Sequence, residues 1–264
     1  KPCRMPLTYL ITGCSSGLGL ELARQLTARG EKVYATVRKL ASSFDNVDYI
    51  SKLGGDLTII ENVDVAVDDC KAVLSSALAG VQIDVLINNA GGINGTRELQ
   101  GMAIMGEQKL ESITSDRMMA AFQLNTLGPL RVTQAVLPNM KSGGKIAIIS
   151  TGMGSIADNG SGGIYAYRCS KSAVNMLAKN LACDLKKDGI AVVAVNPGMV
   201  TTSFGPGAAA LGSMGAQAIG DSSSGPVASL IKCFDELNLE STGRFMTTVS
   251  GGKTCDPIPF AAGW

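Results

Sequence analysis

The sequence predicts an α/β fold: one doubly wound parallel sheet with helices on both faces. Three observations predict it. Strand-like runs alternate with helix-like runs from end to end. The strand-like runs are apolar throughout, as strands covered on both faces must be. The 264 residues suit one large domain, 1–264, better than two small ones, and a chain of that size buries a substantial core without a disulfide or metal staple.

The elements follow in order. Leu7 to Thr12 reads as a buried strand, and a glycine-rich turn leads into a helix from Leu18 to Arg29, which Gly30 ends. Lys32 to Val37 is the second strand. Asp56 to Asp64 holds the third, Asp68 to Leu78 a helix, and Asp84 to Asn88 the fourth strand. Ser115 to Met140 is a long helical stretch containing Pro129, with Pro138 near its end. Lys145 to Ser150 is the fifth strand, Ile164 to Lys186 the second long helix, and Ala191 to Asn196 the sixth strand. Val227 to Asn238 reads as a helix, with a further strand near Arg244-Phe245-Met246. Gly91 to Ser112 reads as an ordered loop with a short helix. Pro197 to Gly225, rich in Gly, Ala and Ser, has the composition of a mobile lid over a crevice.

Composition narrows the function. With 23 basic and 22 acidic side chains, the chain has no electrostatic footprint for nucleic acid or an anionic membrane. Its 7 cysteines are odd in number and irregularly spaced, which argues against a disulfide framework and a zinc site and for reduced, mostly buried thiols. There is no histidine, so acid/base chemistry falls to Tyr, Lys, Asp, Glu or Cys. No apolar run reaches the roughly 18–20 residues that span a bilayer. No signal-peptide pattern opens the chain, which starts at Lys1. The expectation is a cytoplasmic protein, or one of an organelle lumen if a targeting segment has been removed.

The turn Thr12-Gly13-Cys14-Ser15-Ser16-Gly17-Leu18-Gly19 lies between the first strand and the first helix. Its glycines allow a sharp turn and close approach of backbone to a pyrophosphate, and the helix start offers free N–H groups and a positive dipole end. Gly13, Ser15, Ser16, Gly17, Leu18 and Gly19 are therefore candidate cofactor residues, although a tight turn with no ligand has the same glycines. At the end of the second strand stand Val37 and Arg38, where an acidic residue would hold the ribose hydroxyls of NAD. A cation there suits the 2′-phosphate of NADP(H), with NAD(H) the lesser expectation. An exposed surface arginine is the plainer reading of Arg38.

Tyr167 and Lys171, four residues apart near the start of a long helix, share one face and can point into one crevice. An ammonium beside a phenol, together with the positive nicotinamide ring of an oxidised cofactor, would stabilise the phenolate and bring its titration down towards neutrality, supplying an acid/base without histidine. Tyr-x-x-x-Lys alone is common by chance; downstream of the phosphate cradle and an Asn-Asn-Ala-Gly strand end, the functional reading outweighs a surface pair.

These motifs resemble the short-chain dehydrogenase/reductase family, whose glycine signature is Thr-Gly-x-x-x-Gly-x-Gly, and the resemblance runs across nearly the whole chain. It implies a single Rossmann-type sheet and NAD(P)-dependent oxidation or reduction of a small-molecule alcohol or carbonyl. It further implies that Asp64 holds the adenine amino group with Val65 beside the ring, and that Asn89, Ala90 and Gly91 of Asn88-Asn89-Ala90-Gly91 lie along the cofactor. Lys171 would also hold the ribose. In Asn196-Pro197-Gly198-Met199-Val200-Thr201-Thr202, Pro197 and Gly198 would flank the nicotinamide, with Val200 backbone on the carboxamide and Thr202 on phosphate or amide. Asn125 matches the helix asparagine that holds a relay water. The substrate-orienting serine falls, by its distance from Gly154, on Thr151 rather than Ser150, which should face the other side of the strand; Thr151 stands sixteen residues before Tyr167, longer than the family's usual spacing. Asn125-Thr126-Leu127-Gly128-Pro129-Leu130, Gly154 to Asn159 and Gly163 to Arg168 look most like C-factor and Sniffer-like carbonyl reductases, and the opening turn and Val33-Tyr34-Ala35-Thr36 also resemble 17β-hydroxysteroid dehydrogenases. Asn125, Thr151, Tyr167 and Lys171 are thus the candidate catalytic set, in an enzyme expected to be a homodimer or homotetramer. The alternative is a catalytically idle dinucleotide-binding subunit of a larger assembly, or a redox sensor.

Overall fold

The computed structural model describes residues 5–38, 50–93, 106–202, 208–219 and 225–264, with backbone alone at 208–210. In chain order it runs β1 (Thr8–Ile11), α1 (Gly17–Ala28), β2 (Lys32–Thr36), β3 (Leu57–Ile60), α2 (Cys70–Ala77) and β4 (Val85–Asn88). There follow α3 (Ser115–Phe122), a π-helical segment Gln123–Leu127, α4 (Gly128–Val136), β5 (Lys145–Ile149), a 3-10 turn Gly152–Gly154 and α5 (Tyr165–Leu185). The chain continues through β6 (Ala191–Asn196), β7 (Val200–Thr201), α6 (Ala208–Ser213), β8 (Gln217–Ala218), α7 (Pro226–Glu236), β9 (Arg244–Ser250) and β10 (Lys253–Pro259).

The sheet order is β3-β2-β1-β4-β5-β6-β9-β10. Neighbours are parallel except β10, which runs antiparallel to β9. Alternation along each strand feeds two separate cores. Leu10, Leu86, Ile146, Ile148 and Val192 face one layer with α2, α4 and α5, while Tyr9, Ile11, Ile87, Ala147 and Val193 face the other with α1 and α7. The apolar stripes of these helices, Leu22-Ala23-Leu26 on α1 and Val227-Leu230-Ile231-Phe234 on α7, supply the facing surface. Order reverses between β1 and β4, so the crevice that such a sheet offers a ligand opens beyond their carboxyl ends.

The structure refines the sequence expectations in four places. The third strand lies within Asp56 to Asp64, as Leu57–Ile60, and ends where Asn62 adopts a left-handed conformation (φ 61°) and Asp64 Oδ1 accepts from Ala66 N (3.0 Å), turning the chain away. The long helix before β5 is interrupted by its π segment and ends in a 3-10 turn at Leu137–Asn139. Strand β10 was hidden by Pro257 and Pro259, which argue against a central strand and are tolerated on the edge it occupies. Thiol burial holds for Cys14, Cys70 and Cys233, but Cys169 and Cys183 are exposed on the outer face of α5 and Cys255 is half-buried; Cys3 lies outside the described residues.

Residues 94–105 of the loop after β4, and 203–207 and 220–224 of the segment read as a lid, also lie outside the described residues. Within that segment β7 pairs in parallel with β8. Among the described residues no helix is long and apolar enough to cross a membrane.

Candidate active site

The glycine turn is assembled by its neighbour strand. Thr12 Oγ1 accepts from both Asn89 N and Ala90 N (3.0 Å each), and Asn89 Nδ2 donates to Thr12 O (2.8 Å) and Gly13 O (3.2 Å). The Asn89 side chain thus ties the two strand ends together rather than reaching into the crevice. A side chain at Gly13 would stand 2.9 Å from Ala90 Cα, and one at Gly19 would stand 2.4 Å from Gly13 O, so both glycines are required by this packing. Gly17, at φ 60°, faces Thr202 across the crevice, where an added Cβ would lie 3.5 Å away. No side chain caps the start of α1 and no acidic residue stands in its first turn, so its N–H groups and dipole face a site suited to an anion. These features fit a dinucleotide pyrophosphate.

The rest of the predicted cofactor contour is brought to the same end of the sheet. Val37 is buried and Arg38 exposed just beyond β2. Val65 is 4% exposed and packs on Gly128, where a Cβ would come within 2.9 Å of Val65 Cγ2. Arg131, unremarked in the sequence, holds this corner: its Nε donates to Asp68 (2.7 Å) and its Nη1 to Val65 O (3.3 Å). Beyond β6, Gly198 N donates to Asn196 Oδ1 (3.1 Å), at φ 74° and with no room for a side chain beside Val249. Pro197, Val200 and Thr202 follow along the same rim.

Strand alternation separates Ser150 from Thr151. Ser150 Oγ donates to Asn175 Oδ1 (2.6 Å) inside the core. Thr151 lies on the opposite side and its side chain hydrogen-bonds the Tyr167 hydroxyl. Helix α5 brings Lys171 one turn beyond Tyr167, with Nζ 5.9 Å from the ring centroid and donating to Ile149 O (2.8 Å). Both side chains are almost fully buried.

Burial decides the electrostatics. It pushes the Tyr167 phenol well above its ordinary range, the bond from Thr151 opposing it, and it pushes the Lys171 ammonium down to about 8. Desolvation dominates the Tyr167 phenol here, whereas the expected lowering by Lys171 acts together with the positive ring of an oxidised nicotinamide and belongs to the cofactor-bound chain. Burial thus favours the neutral phenol over the phenolate at Tyr167.

Asn125 sits in the π segment. Its Nδ2 donates to Gly92 O (2.8 Å) and Ser170 Oγ (3.0 Å), and its Oδ1 accepts from Gly92 N (2.9 Å). The amide is occupied in joining the loop after β4 to α5. Its main-chain carbonyl stands four residues before Pro129, which has no N–H to give, so that carbonyl lacks its ordinary helical donor.

Like Arg131, Gln108 escaped the sequence reading. It is fully buried. Its Oε1 accepts from Ala166 N (3.0 Å) and Tyr167 N (3.4 Å), and its Nε2 donates to Ile93 O (3.2 Å). Helix α5 has no side-chain N-cap of its own, so Gln108 satisfies its first turn from 58 residues away. No local pattern marks such a cap. Ile93, Met153 and Ile164 pack around Tyr167 as a small apolar cluster.

A hollow of about 560 Å³ lies at the other end of the strands, lined by Arg29, Glu31, Lys145 and Asp235. Its charges are engaged with one another: Arg29 pairs with Asp235 (2.6 Å) and Glu31 (3.1 Å), and Lys145 donates to Phe234 O (2.9 Å) and Asp235 O (2.7 Å). It reads as a clamp on the sheet's far end, remote from the Tyr167 crevice.

The fold and this constellation define a dinucleotide-linked oxidoreductase class, and comparison with known proteins agrees. Residues 8–209 match the short chain dehydrogenase family, to which the chain belongs. It is 34% identical over 243 residues to the 1-hydroxy-2-glutathionyl-2-methyl-3-butene dehydrogenase of Rhodococcus sp. strain AD45, covering 90% of this chain and 95% of that protein. It is 38% identical over 165 residues to the C-signal protein of Myxococcus xanthus, covering 62% of this chain and 87% of that one. Among solved structures, an NADPH-bound carbonyl reductase from chicken fatty liver superposes with a TM-score of 0.74 at 26% identity, over 96% of this chain and all of the other (100%).

Proposed function

We propose that this chain is an NADP(H)-dependent carbonyl reductase or alcohol dehydrogenase whose substrate presents an apolar body beside its reacting carbonyl. The observation that carries the reading is the bonded pair Thr151–Tyr167 with Lys171 one helical turn away, at the carboxyl end of the sheet and opposite the glycine turn. When bound, the nicotinamide supplies the hydride to the carbonyl carbon, or accepts it from the alcohol.

The chain's own residues do the rest. In reduction the Tyr167 hydroxyl gives its proton to the substrate oxygen, and its raised pKa keeps that proton in place until the oxygen becomes basic. Thr151 holds the same oxygen in line. Lys171 restores the Tyr167 proton and reaches the cofactor ribose, and the main-chain carbonyl of Asn125 holds the relay water. Ile93, Met153 and Ile164 exclude bulk water and favour an apolar substrate. Arg38 favours the 2′-phosphate, a preference supported by the NADPH-bound relative.

The test is NADPH oxidation across a panel of aldehydes and ketones. Tyr167→Phe should lower kcat at least about 10²-fold while NADPH binding stays within twofold, because general acid catalysis is worth about 10²–10⁴-fold. Thr151→Val should lose turnover and Ser150→Ala should not. Wild-type turnover in Tyr167→Phe would sink the reading.

A further inference from the structure

The turn that carries Thr151 is gripped from two sides, and only one grip belongs to α5. Gly154 O accepts from Ser172 Oγ (2.9 Å) and Asn175 Nδ2 (3.2 Å), and Gly154 lies so close to α5 that a Cβ there would meet Lys171 backbone at 3.0 Å. The second grip comes from the end of the sequence. Phe260 N donates to Phe245 O (2.8 Å), and Phe260 and Trp264 both stack on Phe245, with centroids 4.7 Å and 5.5 Å apart. The Phe260 ring lies over Gly152, where a Cβ would stand 3.2 Å from its Cζ. Trp264 O accepts from Ile156 N (3.1 Å) and Ser155 Oγ (3.2 Å). One aromatic ring, backed by the stack of Phe245 and Trp264, and two hydrogen bonds to Trp264 O thus bear on residues 152–156, directly after Thr151.

We propose that Phe260, seated by Phe245 and Trp264, is a positioning residue that holds the Gly152–Gly154 turn and, through it, the Thr151 hydroxyl against Tyr167. The inference rests on the proposed roles of Thr151 and Tyr167. Its physical basis is that Thr151 leaves β5 in extended conformation (φ −161°, ψ 151°) and is followed at once by a turn containing two glycines. Glycine confers no stiffness, so the turn takes its shape from what packs on it. Loss of the ring leaves a void beside Gly152 into which the turn can relax, and a displacement of about 1 Å at an orienting group can cost on the order of 10²-fold.

The experiment combines kinetics, a spectroscopic probe and a double-mutant cycle. Phe260→Ala should lower kcat at least tenfold with NADPH affinity within twofold of wild type. Gly152→Ala should lower kcat by crowding the ring, and adding Phe260→Leu to it should recover most of that loss. In protein labelled with 13Cζ-tyrosine, the Tyr167 resonance, assigned by its disappearance in Tyr167→Phe, should move in Phe260→Ala in the same direction as in Thr151→Val. Trp264 is the sole tryptophan, and its emission should shift to the red in Phe260→Ala as the stack loosens.

Equal harm from Gly152→Ala with and without Phe260→Leu would overturn the proposal. So would an unmoved Tyr167 resonance in Phe260→Ala, even with a red-shifted Trp264. If Tyr167→Phe reduces carbonyls at the wild-type rate, the proton-donor reading fails instead, and the Tyr167 resonance still decides whether Phe260 positions Thr151.

Discussion

Lys171 shows how a single buried group links chemistry to stability. Burial lowers its pKa from 10.5 to about 8, which corresponds to a cost of about 3 kcal/mol for the charged form. Below about pH 8 the folded chain must hold that charge out of water. Between about 8 and 10.5 only the unfolded chain still binds the proton, so this group makes stability rise with pH; above 10.5 the cost is gone. Lys171→Met should therefore be more stable than wild type by about 1–2 kcal/mol at pH 6–7, after about 1 kcal/mol is lost with the hydrogen bond to Ile149 O. Urea denaturation should show the advantage shrinking as pH rises through that window, with turnover abolished throughout. A constant difference from pH 6 to 10.5 would mean that burial does not lower the Lys171 pKa. That Tyr167 and Lys171 share a helix face, and that Thr151 and Ser150 point to opposite sides, was legible because helical and strand periods are local. The direction of the Tyr167 shift was not, because it depends on burial among Ile93, Met153 and Ile164, which come from three separate segments.

At the scale of elements, α5 depends on a residue outside itself. Its first turn begins after Ile164 in a left-handed conformation, with no side-chain cap, and Gln108 takes up the N–H groups of Ala166 and Tyr167. Gln108→Leu would leave those donors unpaired in the interior, at about 1–3 kcal/mol. Urea midpoints should fall accordingly, and kcat should fall by more than KM rises, because the start of α5 carries Tyr167. A stability loss with unchanged kcat would confine Gln108 to a structural role. The helix pattern was readable across Ser115 to Met140, but its interruption was not: π geometry at Gln123–Leu127 reflects the packing of Asn125 on Gly92 and Ser170, and only Pro129 hinted at it. Likewise β10 was lost to its prolines, because whether a proline can be accommodated depends on where the strand lies in the sheet.

For the whole molecule, the two core layers have different duties. The layer of α2, α4 and α5 carries Lys171 on α5 and adjoins the π segment that holds Asn125, whereas that of α1 and α7 backs the sheet from the other side. Phe234 is among the largest fully buried side chains of the second layer. Phe234→Ala should cost about 3–5 kcal/mol in urea denaturation while kcat/KM, measured well below the unfolding temperature, stays within a few-fold of wild type. A large kinetic loss at full folding would show that the layers are coupled through the sheet. The layered architecture was legible because apolar runs and glycine punctuation recur along the chain.

The outermost strand has a consequence for behaviour in concentrated solution. Phe260 N points inward to Phe245 O, so backbone alternation turns the nitrogen of Pro259 outward, where it has no hydrogen to offer; Pro257 removes a second donor from the same strand. A foreign strand arriving at this border finds an interrupted ladder and little to register against. The prolines that concealed the strand from a reader of the sequence thereby act as a stop against templated fibre growth.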